Sequence, residues 1–202
     1  MAAFLIVAAL SYSLGSIPFG YILLRIFRGE DVRQTGSGNI GATNVARSSP
    51  ALGILTLVLD ALKGLAAVLL ARALVPEQGW PAVVAAVFAV LGHMFSIWLS
   101  FRGGKGVATA LGSFVVIAPK AVLVMVCVFL VLVLAFRYVS LASIVAVGLF
   151  PVLACFLDGY RHPPLLAVMA AAAILIIARH HQNIRRLLNG TESRFQLRHS
   201  QP

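Results

Sequence analysis

A polar stretch between two strongly apolar segments carries the side chains best suited to bind a phosphate group. Residues 35–47 contain three glycines, several hydroxyl and amide side chains, and a terminal arginine, Arg47. Glycine allows positive φ and a close approach of the backbone to a ligand, and successive N–H groups in such a turn form a concave anion site. A flexible linker is the alternative interpretation, but a linker does not require asparagines or an arginine. The candidate phosphate ligands of this first motif are Ser37, Gly38, Asn39, Thr43 and Asn44.

A second motif, residues 102–106, directly follows the third apolar segment. Arg102, Gly103, Gly104 and Lys105 precede a new apolar run, so Lys105 lies near the positive end of the helix dipole predicted there. Glycines and a cation at a helix start favour a bound anion. The alternative is a turn whose cations are present only because cytoplasmic loops favour positive charge.

A third motif opens the C-terminal tail. At helical spacing His180, Asn183 and Leu187 share one face, and Gly190 is a suitable helix stop. A basic helix lying on the membrane surface is the alternative interpretation. His180 and Asn183 are the candidate catalytic residues of this segment.

Two charged residues and a histidine lie within apolar segments. Asp60 and Lys63 are three residues apart, so they share a helix face and can pair, which offsets part of a cost of about 3 kcal/mol per charge in the bilayer. Such a pair can serve only to fix helix packing, or it can support the polar motifs from below. His93, by itself, is more often a packing group than a catalyst. We group Asp60, Lys63 and His93 as supporting residues.

The composition indicates a polytopic membrane protein. Of 202 residues, 60% are hydrophobic and only 11% are charged, whereas about 25% of the residues in soluble domains are charged. The net charge of +10 comes from basic residues at the ends of apolar segments, which disfavours nucleic acid as a partner and favours lipid headgroups and phosphate-bearing substrates. Cys127 and Cys155 fall inside apolar segments, so we predict that both are buried and that they form neither a disulfide nor a metal site.

We predict an all-α bundle of seven membrane spans that forms a single domain, residues 1–202, with a basic cytoplasmic tail from about residue 179. The apolar segments are 1–24, 51–71, 80–101, 107–118, 121–136, 138–157 and 163–178. With the N-terminus outside, twelve basic residues lie in inner segments and three in outer segments, as the positive-inside rule requires. Segment 107–118 is short for a hydrocarbon core of about 30 Å, so five spans is the alternative count. Either odd number places all three motifs on the cytoplasmic side. Within the first segment, Pro18 and its small neighbours allow a kink or close packing near the inner surface.

Taken in order along the chain, these motifs resemble those of a known family of enzymes. Segments 36–47, 92–109 and 180–192 closely resemble the three motifs of the bacterial acyl-phosphate-dependent glycerol-3-phosphate acyltransferases. One departure is His181 and Gln182, where members often have a basic residue and a glutamate. The resemblance implies an enzyme of the bacterial cytoplasmic (inner) membrane with its active site facing the cytoplasm. The implied reaction transfers a fatty acyl group from acyl phosphate to the 1-hydroxyl of sn-glycerol 3-phosphate, giving lysophosphatidic acid and phosphate in the first acylation of phospholipid synthesis.

The resemblance also implies roles for individual residues and partners. The implied catalytic residues are His180, Lys105, Arg47 and Asn183. The implied phosphate-binding residues, besides those of the first motif, are Arg102, Gly103, Gly104 and Ser143. No cofactor or metal is implied, and the partners are the two substrates, membrane lipids and, functionally, the soluble enzyme that makes acyl phosphate.

A transporter or channel for an organic phosphate is the competing class of function. Such a protein would also place cations and broken helices in the membrane. Transporters, however, carry internal repeats and bind substrate near the midplane, whereas this sequence has no internal repeat and gathers its polar groups at one surface. A lipid-binding scaffold is a third class, disfavoured by the density of polar residues suited to a site.

Overall fold

The computed structural model of the chain describes residues 1–76 and 79–195, and all regular secondary structure within these residues is helical. The predicted all-α fold is confirmed. Glu77 and Gln78, which follow the second apolar segment, lie outside the described residues, as do residues 196–202 of the predicted basic tail, Arg198 included.

The described residues contain ten α-helices, labelled here in chain order. Their bounds are α1 Ala2–Ser16, α2 Phe19–Arg28, α3 Ala42–Ser48, α4 Pro50–Leu74, α5 Trp80–Met94, α6 Val107–Ile117, α7 Pro119–Phe136, α8 Val139–Leu157, α9 Pro163–Ala178 and α10 His181–Leu188. Short 3-10 turns cover Val32–Gln34 and Ile97–Leu99. Each of the predicted apolar segments therefore contains a helix.

Five helical segments of the described chain are long and apolar enough to cross a membrane. They are Ala2–Arg28, Pro50–Leu74, Trp80–Leu99, Pro119–Phe136 and Val139–Leu157. A sixth results if α9 and α10, which are bent by 57° at their junction, form one span. Helix α6 has 11 residues, or about 16 Å, which is short of a hydrocarbon core of about 30 Å. The chain is thus a multi-pass membrane protein.

The first of two compact units extends from Met1 to Pro119. In this unit α1 packs against α5, and α4 packs against α3, α5 and α6. Gly15 of α1 lies against the backbone of Ala89, and Gly112 of α6 lies against that of Ala61, so closely that a methyl group on either glycine would overlap its neighbour. Small residues allow this close approach between helices in a membrane, where apolar surface alone does not drive association.

The first apolar segment is broken between α1 and α2, at the place where the sequence allowed a kink or close packing. Helix α1 ends at Ser16 and α2 begins at Phe19, with Pro18 between them. Side chains from later segments bond to the carbonyl groups at the break: the Ser96 hydroxyl donates to Ser16 at 2.6 Å and the Lys63 ammonium donates to Ile17 at 2.7 Å. Partners from neighbouring helices are what allow a helix to break within a membrane.

The second unit begins at Lys120. In it α8 packs against α9, and α10 packs against α8. Asp158, at the end of α8, accepts the backbone N–H groups of Lys120 at 3.1 Å and Ala121 at 2.8 Å. The carboxylate therefore caps the first turn of α7 and complements its dipole.

The prediction that Cys127 is buried is wrong. Both cysteines are free thiols, and Cys127 is exposed, while Cys155 is partly buried. Helix α7 presents most of its surface outward, since only 11% of the residues in Pro119–Phe136 are buried. An apolar sequence does not distinguish a lipid-facing helix surface from a protein core, because lipid is as apolar as leucine.

Candidate active site

The first motif is an ordered loop built around the side chain of Asn44, which is only 3% exposed. Its Oδ1 accepts the backbone N–H of Ser37 at 2.8 Å. Its Nδ2 lies within hydrogen-bond distance of three carbonyl groups, those of Val32 at 3.1 Å, Thr35 at 3.0 Å and Asn39 at 2.9 Å. One amide side chain therefore closes the loop, its two N–H protons shared among three acceptors.

Backbone N–H groups of this loop bond within it, which differs from the predicted concave anion site. The N–H of Gly38 donates to the Thr35 carbonyl at 2.9 Å, and that of Gly41 donates to Asn39 Oδ1 at 2.8 Å. Two of the three glycines have positive φ, Gly36 at 54° and Gly38 at 69°. The loop thus presents side chains rather than these N–H groups. The side chains that reach the surface of the motif are those of Ser37, Asn39, Thr43 and Arg47.

Arg47 extends from α3 back to the loop. A methyl group on Gly36 would lie 3.2 Å from the Arg47 guanidinium and would overlap Asn44 Oδ1. The guanidinium therefore lies directly beside the loop, with the Arg47 side chain exposed. Helix α3 fixes a cation where the first motif meets solvent.

Asp31 stabilises the entry to the loop. Its carboxylate accepts the backbone N–H of Arg33 at 3.0 Å and the guanidinium Nη2 of the same residue at 2.7 Å. The hydrogen bond from the Arg33 side chain lowers the pKa of Asp31 to about 2. The ionised carboxylate caps the 3-10 turn at Val32–Gln34, from which the Val32 carbonyl contacts Asn44.

The second motif folds back onto the end of α5. The N–H of Gly103 donates to the Met94 carbonyl at 3.0 Å, and the N–H of Gly104 donates to the His93 carbonyl at 2.9 Å. A methyl group on Gly103 would overlap the backbone of α5, and one on Gly104 would overlap the His93 ring. The glycines are therefore needed here for close packing.

Lys105 lies half-buried between this turn and the start of α6. Gly106, with φ 88°, is the N-cap of α6, so Lys105 is near the positive end of the helix dipole as predicted. Arg102 is exposed. The two residues before it, Ser100 at φ 52° and Phe101 at φ 62°, adopt a left-handed conformation that costs about 1 to 2 kcal/mol per non-glycine residue.

The supporting residues form one buried network, and the predicted ion pair is confirmed. Lys63 Nζ lies 2.8 Å from Asp60 Oδ1 and 3.0 Å from His93 Nδ1. The side chains of Asp60 and Lys63 are each 2% exposed, and that of His93 is 4% exposed. Since Gly104 packs on the His93 ring, the network contacts the second motif directly.

An apolar cluster joins the first motif to the segment before the second. Leu99 packs with Leu24, Val32, Ile40 and Val45, all at most 5% exposed. Val32 precedes the first motif, Ile40 and Val45 lie within it, and Leu99 lies shortly before the second motif. This cluster therefore connects the first motif to the segment that leads into the second motif.

The third motif lies in the second unit, at the bend between α9 and α10. His180 is the N-cap of α10 and is only 2% exposed. Its Nδ1 lies 2.8 Å from the Ile176 carbonyl, which only accepts, so Nδ1 carries a proton, and in the neutral form of the ring the lone pair is on Nε2. Gly190, with φ 67°, follows the end of the helix as predicted.

Glu192 organises the third motif, a role that the sequence analysis did not assign. Its Oε1 accepts hydrogen bonds of 2.6 Å from both Ser140 and Asn183, and its Oε2 accepts one of 2.7 Å from Arg186. Burial alone would raise the pKa of Glu192, but these hydrogen bonds and the Arg186 charge outweigh it and lower the pKa. The nearby Ser143 is buried on α8 and donates to the Val139 carbonyl at 2.9 Å. The fixed carboxylate thus sets the position of the Asn183 amide.

Together these features define a class: a multi-pass helical membrane protein whose ordered polar motifs are suited to phosphate-bearing substrates. The chain matches the family described as glycerol-3-phosphate acyltransferase over residues 5–190. The chain belongs to that family, which confirms the resemblance found in the sequence.

Relatives and solved structures agree. The glycerol-3-phosphate acyltransferase of Syntrophotalea carbinolica is 47% identical over 96% of this chain and 99% of its own length. That of Geobacter sulfurreducens is 47% identical over 95% of this chain and 97% of its own. The crystal structure of PlsY (YgiH), an integral membrane glycerol 3-phosphate acyltransferase, in its glycerol 3-phosphate form is 41% identical, with a TM-score of 0.89 over 97% of this chain and 96% of that one. Its lysophosphatidic acid form gives 39% identity and a TM-score of 0.86 over the same shares.

Proposed function

We propose that the chain transfers a fatty acyl group from acyl phosphate to the 1-hydroxyl of sn-glycerol 3-phosphate, giving lysophosphatidic acid and inorganic phosphate. The observation that carries the proposal is the 41% identity, over 97% of the chain, to an enzyme solved with glycerol 3-phosphate. The same fold is solved in a lysophosphatidic acid form. Neither those enzymes nor the relatives support a transporter.

The residues of the three motifs suit this chemistry. Both substrates carry phosphate, so we assign Arg47 and Lys105 to neutralise it, with donors of the first and second motifs orienting it. Asn44 acts through the loop that it closes, since its amide already bonds to the backbone. Arg102, Gly103, Gly104 and Ser143 remain assigned to the phosphate-binding set.

The acyl group passes directly to the acceptor in this mechanism. Acyl phosphate is already an activated mixed anhydride, so the glycerol hydroxyl can attack its acyl carbon directly. The bond between the acyl carbon and the phosphate oxygen breaks, and Arg47 and Lys105 stabilise the charge of the departing phosphate. The hydroxyl proton goes to His180 or to a phosphate oxygen of a bound substrate. The lone pair on His180 Nε2 suits the first route, and Asn183 orients the acceptor.

We further propose seven membrane spans in one functional domain, with the N-terminus outside and all three motifs serving one reaction on the cytoplasmic side of the bacterial inner membrane. The seven apolar helical segments, α6 included, and the asymmetry of basic residues support this topology. A soluble enzyme that makes acyl phosphate would supply the donor from the same side.

The proposed activity is tested with the purified chain in lipid nanodiscs. Palmitoyl phosphate and glycerol 3-phosphate together are expected to give stoichiometric phosphate and 1-acyl lysophosphatidic acid. Omitting glycerol 3-phosphate is the matched control and is expected to abolish lipid formation. Acylation from palmitoyl-coenzyme A but not from palmitoyl phosphate would contradict the proposed donor, and movement of glycerol 3-phosphate into sealed vesicles without acylation would contradict the enzyme.

A further inference from the structure

We propose that Asp60, Lys63 and His93 form a positioning network that holds the turn at residues 103–105 in the conformation that binds substrate phosphate. The inference rests on the proposed function, because it assigns these buried groups to the phosphate-binding step rather than to helix packing alone.

Lys63 is the centre of the network. Its ammonium forms an ion pair with Asp60 Oδ1 at 2.8 Å and lies within hydrogen-bond distance of His93 Nδ1 at 3.0 Å and of the Ile17 carbonyl at 2.7 Å. With Lys63 protonated, its ammonium only donates, so His93 Nδ1 accepts from it, and this contact fixes the orientation of the ring. The Ile17 carbonyl belongs to the break between α1 and α2, which ties the ammonium to a fixed point outside α4.

The oriented His93 holds the turn in two ways. Its carbonyl accepts the N–H of Gly104 at 2.9 Å. Its ring packs on the same residue, because a methyl group on Gly104 would overlap His93 Nε2. The position of the ring therefore determines where the backbone of the turn lies, and Lys105 is the next residue.

Stability alone does not explain the network. Asp60 and Lys63 are each 2% exposed, and a buried ion pair is on balance no more stabilising than apolar side chains of the same size. Ionisable residues inside a membrane segment are most often functional. Directing the His93 ring against the second motif gives this pair a function.

A double-mutant cycle between His93→Ala and Gly104→Ala tests the contact that carries the inference. The measurements are kcat/KM for glycerol 3-phosphate with palmitoyl phosphate as donor, and the inhibition constant of inorganic phosphate. We expect each single change to lower kcat/KM by about tenfold or more, and the double variant to lose about as much as one single variant, because the added methyl group then occupies the space of the ring. Losses that multiply would show that the two residues act independently and would overturn the proposal.

A second comparison separates positioning from packing. The variant Asp60→Asn/Lys63→Met removes both charges without leaving one unpaired, so its Tm is expected to fall less than that of Lys63→Met alone, which leaves the Asp60 carboxylate buried without its cation. We expect it to bind phosphate more weakly and to raise KM for glycerol 3-phosphate. Wild-type kinetics in this variant, or activity lost only in proportion to folded protein, would contradict the network.

Arg72→Gln is the matched control on the same helix. Arg72 also donates from α4 to a carbonyl of another helix, that of Val116 at 3.0 Å, but lies nine residues after Lys63, or about 13 Å along the helix. We expect its kinetics to be unchanged. Isothermal titration calorimetry also measures the binding of inorganic phosphate to each variant without turnover. A parent chain that binds phosphate but acylates nothing would therefore refute the proposed function and still test the network.

Discussion

Replacing Glu192 with glutamine is expected to release the third motif while leaving the rest of the second unit folded. The carboxylate accepts three hydrogen bonds of 2.6 to 2.7 Å, from Ser140, Asn183 and Arg186. A glutamine oxygen can still accept from Ser140 and Asn183. Its amide N–H₂ group, however, would face the Arg186 guanidinium, and both groups are donors.

The expected magnitude follows from that single lost contact. A hydrogen bond to a charged group contributes about 1.5 to 3 kcal/mol, and the Glu192 side chain is only 8% exposed, so solvent replaces the contact poorly. Each 1.4 kcal/mol is about tenfold in an equilibrium constant. We therefore expect local opening of residues 189–195 to increase by about tenfold to a hundredfold.

Amide hydrogen exchange measures this opening directly. The N–H of Thr191 bonds to the Arg186 carbonyl at 2.8 Å and that of Phe195 bonds to the Arg137 carbonyl at 2.6 Å, so both report on the segment that Glu192 anchors. Exchange at these two amides is expected to accelerate, and kcat to fall as Asn183 loses its fixed orientation. Unchanged exchange at both amides in a folded variant would refute the reasoning.

The role of the Glu192 carboxylate is tested further by the pH dependence of amide protection and by a control variant. Because the pKa of Glu192 is lowered in the folded chain, its stabilisation is fully present above its ordinary value of 4.5 and is lost as the pH falls through the lowered value. Protection in the parent is therefore expected to hold from pH 7 to 5 and to decline below that range. Glu30→Gln, which alters an exposed pair with Arg28 at 3.4 Å, is expected to change stability by at most about 1 kcal/mol.

Three further predictions concern the first two motifs and the topology. Arg47→Ala or Lys105→Ala is expected to lower kcat/KM by about tenfold to a hundredfold, because each variant loses a charge-assisted contact to phosphate. Unchanged initial-rate kinetics would show that these cations only set the membrane orientation of the chain. Gly36→Ala is expected to lower Tm more than Gly29→Ala, because both have positive φ but only a methyl group at Gly36 meets other side chains, and equal losses would argue against the packed loop. In a cysteine-free background, an impermeant thiol reagent is expected to label single cysteines only from the cytoplasmic side, and outside labelling of any one would overturn the topology. The positions to be labelled are Ser37, Arg102 and Asn189.

Local sequence was sufficient to predict the helices, the buried pair and the place where the first segment is broken. Apolar length identifies a membrane helix, Pro18 marks a break, and a spacing of three residues places Asp60 and Lys63 on one face. Each of these signals lies within a single segment. The motif residues were likewise visible, since polar residues are rare in so apolar a chain.

Long-range hydrogen bonding could not be predicted. Asn44 looked like a ligand for substrate, but its amide bonds to carbonyls as far away as Val32, twelve residues earlier. Glu192 showed no spacing that linked it to Ser140, 52 residues earlier on another helix. The exposure of Cys127 depends on which face of α7 is left unpacked, and composition does not encode that.

Direct acyl transfer within a ternary complex is the central chemical claim, and initial-rate kinetics with intact-protein mass spectrometry test it most directly. Varying palmitoyl phosphate at several fixed concentrations of glycerol 3-phosphate is expected to give intersecting double-reciprocal plots, and incubation with palmitoyl phosphate alone is expected to leave the protein mass unchanged. Parallel plots together with a stoichiometric palmitoyl adduct would contradict direct transfer and would establish a covalent acyl-enzyme instead.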